Sequence, residues 1–100
     1  MELFAIRRRN AWKSAQELEA AAARSRSIGD NEMSHKVRWI RSYVVKEADG
    51  TLGTVCIYQA VSPEAIREHA QRVGMPADEI TPVAATVVVR EDPRELEKAA

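Results

Sequence analysis

At 100 residues, 45% of them hydrophobic and 30% charged, the chain is long enough for one domain and too short for two. Fifteen Lys and Arg offset fifteen Asp and Glu, so the positive field that drives nonspecific binding to nucleic acid or anionic membranes is missing, and neither partner is expected. The single cysteine, Cys56, excludes an internal disulfide, and the opening "MELFAIRRRN" reads as neither signal peptide nor membrane span, so the expected compartment is the cytoplasm.

In chain order, "ELFAIRRR" (Glu2 to Arg9) predicts a first strand that three arginines terminate as a polar exit. A first helix follows over 14–29, where Ser14 and Glu17 form a capping box, an alanine run supplies propensity, and Gly29 is the expected stop. A polar connection leads into the strand "VRWIRSYVV", Val37 to Val45. Asp49 and Gly50 then signal a two-residue hairpin turn before a third strand, "TVCIYQAV". Ser62 as cap and Pro63 at the first helical position open a second helix that Gly74 closes. A fourth strand is expected over "ITPVAATVVV", Ile80 to Val89. Residues 93–100 form a short tail, possible as a helix capped by Asp92.

The order β-α-β-β-α-β is the split-βαβ, ferredoxin-like α+β motif: a four-stranded antiparallel sheet with two helices on one face, spanning residues 1–92. With Asp49 and Gly50 as the turn, Tyr43 pairs with Cys56, Arg41 with Tyr58 and Trp39 with Ala60. That register places Trp39, Arg41, Tyr43, Cys56 and Tyr58 on the helix-free face and buries Ile40, Ser42, Val44, Val55 and Ile57 beneath the helices. The outer strands are apolar at both parities, as strands covered on both sides are, so a second copy is expected over the helix-free face. The aromatic and arginine row then lines a cleft between protomers.

"VRWIRSYVV", "VCIYQAVSPEAIREHAQRVGMPADEI" and "VVVREDP" resemble a family of small bacterial ferredoxin-like proteins whose motifs are a W-x-H-S-Y-V strand, a C-V-Y strand end and an I-R-E-H-A helix. The resemblance covers residues 35 to 93 and, loosely, the first helix. The family is regarded as dimeric and includes an actinobacterial nickel-binding protein, so the resemblance implies a transition-metal role. Trp39, Ser42, Tyr43, Cys56, Tyr58, Glu68 and His69 match the motifs, whereas Arg41 stands where the strand pattern has histidine. Arginine cannot ligate a metal, so weak nickel binding is expected, with Arg41→His restoring it.

The expected function is that of a small dimeric protein binding either a transition metal, with nickel the candidate cofactor, or a small anionic ligand. Trp39, Arg41, Tyr43 and Tyr58 are the candidate ligand-binding residues, Cys56 and His69 the candidate metal ligands. His69 falls at the edge of the apolar stripe of its helix, and His35 sits in the solvated approach to the second strand. The alternative is a small dimeric α+β-barrel enzyme, monooxygenase- or isomerase-like, with His69 or Tyr58 moving a proton. An RNA-binding sheet is disfavoured, because the third strand offers only Gly53 and Tyr58 of the aromatic-rich pattern that module uses.

Overall fold

Ser14 begins the first helix by accepting the Glu17 N–H at 3.2 Å, and the Glu17 carboxylate reaches back to the Lys13 N–H. At the second helix Ser62 accepts from Ala65, Pro63 fills the first turn, and Gly74 closes it in the left-handed conformation at φ 84°. In the computed structural model, which describes residues 1–93, the elements are β1 (Glu2–Trp12), α1 (Ala15–Asn31), β2 (Val37–Lys46), β3 (Leu52–Ala60), α2 (Pro63–Val73) and β4 (Glu79–Pro82). They form one antiparallel four-stranded sheet in the order β2-β3-β1-β4, which is the ferredoxin-like α+β fold. No helix among the described residues is long and apolar enough to cross a membrane.

The core lies between the helices and one sheet face. Phe4 and Ile6 of β1, Cys56, Tyr58 and Ala60 of β3, Val37 of β2 and Ile66 of α2 are all buried there. The opposite face of the sheet carries Arg7, Val55 and Ile57, half-buried, with exposed Arg41 and Tyr43.

Two local features set which β2 side chains reach the core, and both differ from the expected register. The hairpin turn holds three residues rather than two: Glu47 donates its N–H to the Thr51 carbonyl, Gly50 donates to Glu47, and Gly50 takes φ 88°. One added turn residue slides β2 by one position, so Tyr43 faces Val55 and Arg41 faces Ile57. A bulge at Ile40 then restores the original parity, and Trp39 pairs with Tyr58 and Val37 with Ala60. Trp39 therefore points to the helix side with Cys56 and Tyr58. Arg41 and Tyr43 point the other way. Ile40 and Val44, expected in the core, are 44% and 53% exposed.

Three boundaries also move. α1 passes through Gly29, whose missing β-carbon leaves the helix in contact distance of the His69 ring rather than ending it. β4 stops at Pro82 because β1 begins at Glu2: the Val83 N–H still reaches the Leu3 carbonyl, and beyond that the chain has run off its partner. β1 extends to Trp12 through an irregularity between Arg8 and Trp12, with Asn10 left-handed at φ 50° and tied to Asp49 and Thr51 of the hairpin. The helical tail expected over 93–100 lies outside the described residues, apart from Pro93.

Gly53 sits where this irregularity crosses the hairpin. A β-carbon there would collide with the Arg8 carbonyl and with the Glu47 carboxylate that accepts from Arg7 at 2.9 Å. Gly53→Ala is expected to destabilise the fold by about 1–3 kcal/mol, the usual cost of forcing atoms into filled space. Urea unfolding checks this, and an unchanged midpoint would mean that the backbone relaxes freely around the added methyl.

Candidate functional site

The face that α1 turns to the sheet is built from short side chains. Ala21 and Ser25 are its buried residues, with Leu18 and Ala22 beside them. Opposite stand Thr54 and Cys56 of β3 and Ser42 of β2, also short. Two elements held apart by the sheet's own geometry but lined with small residues leave a gap, here a cleft of about 450 Å³. Trp39 and Tyr58 form one wall as parallel rings with centroids 6.1 Å apart. Trp12, Val44 and Met75 close its edges, and Glu19 and Arg26 stand at its rim.

The polar groups inside are mostly committed. Trp39 Nε1–H donates to Ser42 Oγ at 2.7 Å. The Tyr58 hydroxyl and Ser25 Oγ share a 3.0 Å hydrogen bond, while the Ser25 carbonyl accepts from His69 Nε2 at 3.0 Å. Since a carbonyl only accepts, Nε2 carries the His69 proton and Nδ1 is left with a buried lone pair and no partner among the described residues. Burial pushes the His69 pKa below the ordinary 6.5, and the nearby Arg8 guanidinium pushes the same way, so the ring is neutral. Burial also pushes the Tyr58 phenol up to about 12, against the opposing pull of Ser25 and Arg8. The Tyr58 phenol is therefore not poised to exchange a proton near neutrality.

Arg8 is the feature that sequence reasoning missed. It is 1% exposed and lines the cleft, with its guanidinium carbon 5.8 Å from the Tyr58 ring centroid. Nε donates to the Pro76 carbonyl at 2.7 Å, yet Nη1 and Nη2 are buried with no hydrogen-bond partner among the described residues. Its neighbours in the run behave conventionally. Arg7 pairs with Glu47 and Arg9 with Glu79 on or near the other face. A buried cation with a single neutral hydrogen bond is costly to keep, whereas Arg7 and Arg9 cost little.

The structure thus divides the six sequence-predicted site residues. Trp39, Cys56 and Tyr58 line the cleft under α1, on the helix side rather than the helix-free side expected of them, and His69 packs behind Tyr58 with ring centroids 5.5 Å apart. His69 is wholly buried, not at a helix edge. Arg41 and Tyr43 fall on the opposite face. There the Arg41 guanidinium reaches Asp92 at 3.2 Å and the Tyr43 hydroxyl donates to the same carboxylate at 2.7 Å. Arg41 touches the cleft only at its rim, beside the bulge. His35 is exposed, and Glu68 is occupied by Lys36 and Arg72.

As a metal centre the arrangement fits poorly. Cys56 Sγ is taken up by Thr54 Oγ1 at 3.3 Å, and His69 has its proton-bearing nitrogen on a backbone carbonyl. Arg8, rather than Arg41, supplies the fixed positive charge beside them and opposes a dication. Among the described residues no three His, Cys, Asp or Glu side chains gather in a group that could hold a metal ion. Placing histidine at position 41 would not complete a set with Cys56 and His69, because the three-residue hairpin turn sends residue 41 to the other face.

Among proteins of known family, residues 4–83 match the family model described as "Nickel responsive protein SCO4226-like". A solved structure, SCO4226 from Streptomyces coelicolor A3(2), is similar over 85% of this chain and 99% of that one, with a TM-score of 0.68 and 22% identity, a likeness of fold. No curated protein matches.

Proposed function

The chain belongs to the SCO4226-like family of nickel responsive proteins, and within it we propose that this member binds a small organic molecule in the cleft under α1, as a homodimer, rather than holding nickel between Cys56 and His69. The observation that carries this reading is the cleft itself: a concave, largely apolar space with one wall of two parallel aromatic rings, of the size that small-molecule sites occupy. The enzyme alternative would have Tyr58 or His69 transfer a proton, and the high Tyr58 pKa and the His69 bond to a backbone carbonyl lend it no support.

Dimerisation is supported by the other sheet face. Beyond β4 the chain runs past Leu3, Ile57 and Tyr43, and Val87, Val88 and Val89 are 88%, 68% and 81% exposed. Three consecutive valines in water, continuous with an apolar sheet face, suit a second copy of the same surface. Light scattering at micromolar concentration is expected to return twice the 11.2 kDa chain mass. A particle of 11.2 kDa would remove the dimer and leave the cleft untouched.

The cleft is tested with a neutral aromatic probe, naphthalene-2-carboxamide. Its titration is expected to quench Trp12 and Trp39 fluorescence saturably, and Ala22→Phe, which fills the cleft from the helix side, is expected to abolish the quenching while the circular dichroism spectrum stays the same. Quenching that persists in Ala22→Phe would place the probe elsewhere. Calorimetry with nickel is expected to show no saturable heat at micromolar concentration, for the wild type and Arg41→His alike. Tight binding of nickel would mean that ligands other than Cys56 and His69 hold it.

A further inference from the structure

We propose that Arg8 is the anion-recognition residue of the cleft, and that the ligand class is a small monocarboxylate with an aromatic or apolar body. This rests on the reading of the cleft as a ligand site. Arg8 lies nine-tenths or more buried with both Nη nitrogens lacking a partner among the described residues, while Nε alone is spent, on the Pro76 carbonyl. Buried polar groups in folded proteins almost always find partners, so two donors on one planar fork left open beside a cavity point to a partner that arrives with the ligand. The fork matches a carboxylate, which accepts two parallel hydrogen bonds from it.

The rest of the lining narrows the class. Beyond the guanidinium the walls are Trp39, Tyr58, Leu18 and Val44, which suit a flat or aliphatic body rather than a sugar or nucleotide. Among the described residues the acids flanking the arginine run are already engaged: Glu47 by Arg7, Glu79 by the Arg9 guanidinium and Asp78 by the Arg9 N–H. Tyr58 fixes the guanidinium from below through its ring face.

Naphthalene-2-carboxylate and its neutral carboxamide differ only at the group that Arg8 would meet. By tryptophan quenching the wild-type protein is expected to prefer the acid by roughly tenfold or more, the range for hydrogen bonds to a charged group. Arg8→Met keeps the length and removes the charge and donors; it is expected to bring the preference to about one with the amide's affinity nearly unchanged. Arg8→Lys, which keeps the charge without the fork, is expected to fall between them. Equal affinity of the wild type for acid and amide, or a preference retained in Arg8→Met, overturns the assignment while leaving the cleft as a site. Failure of both probes to bind the wild type overturns the assignment and the cleft together. Should Arg8→Met not fold, the wild-type ratio and Arg8→Lys decide the matter.

Discussion

Deletion of Ile40 is expected to destabilise the protein by roughly 3–5 kcal/mol, although the side chain itself is 44% exposed and Ile40→Ala should cost less than about 1 kcal/mol. The difference lies in parity. Ile40 is the extra residue between the pairs Trp39–Tyr58 and Arg41–Ile57, and without it one side of β2 must slip by one position. If residues 37–39 slip, Val37 leaves the core, where it is 2% exposed, and the Trp39 ring leaves Tyr58. If residues 41–46 slip instead, Arg41 and Tyr43 are driven toward the helices and lose Asp92. Guanidinium unfolding of the two variants decides it. A deletion no more damaging than Ile40→Ala would mean that the bulge does not assign the faces.

His69 is expected to govern both stability and its dependence on pH. His69→Ala removes a wholly buried ring packed on Tyr58 and takes the side-chain donor from the Ser25 carbonyl, for a loss of about 2–4 kcal/mol. The pH effect follows from the depressed pKa. Above 6.5 the ring is neutral in both states and contributes no slope. As the pH falls below 6.5 the unfolded chain takes up a proton that the folded chain refuses, so stability declines until the folded pKa is reached. Glu47, Glu68 and Glu79, whose pKa values are lowered chiefly by hydrogen bonds from Arg7, Lys36 and Arg9, add their losses only below their ordinary 4.5. The windows are separate. Wild-type melting temperature should drop between pH 7 and 5, and His69→Gln, which keeps a donor for Ser25 without a titrating ring, should start lower and stay level across that interval. A parallel decline in both proteins would assign the slope to another group.

The fold was legible because its signals are local. Ser14, Ser62, Pro63 and Gly74 act within one turn of where they stand, and the strand patterns need only neighbours two residues away. The faces were not legible, because each depends on a count. One residue more in the turn around Asp49 and Gly50, and one more at Ile40, reverse and then restore the parity of β2, and neither leaves a mark in composition. So Trp39, Cys56 and Tyr58 were rightly associated with each other and assigned to the wrong side, while Arg41 and Tyr43 were grouped with residues they do not meet. Arg8 carried a readable signal that the three-arginine run hid: it continues the two-residue spacing of Phe4 and Ile6, both buried. What could not be read at all is that no acid among the described residues meets it, since that depends on where Arg7 and Arg9 send Glu47 and Glu79.

The alanines of α1 also bear on how such a protein could diverge. Cleft depth is set on one side by residues such as Ala22, which face no partner that must change with them. Exchanging alanine for leucine or methionine there keeps strong helix propensity and alters the space by a few carbon atoms at a time. Lineages sharing this backbone could thus drift from one ligand size to another in single steps, each folding as well as the last, while the recognising charge on β1 stays where it is. Sequence comparison within such a group would then show variation concentrated on one stripe of a helix whose composition otherwise looks featureless.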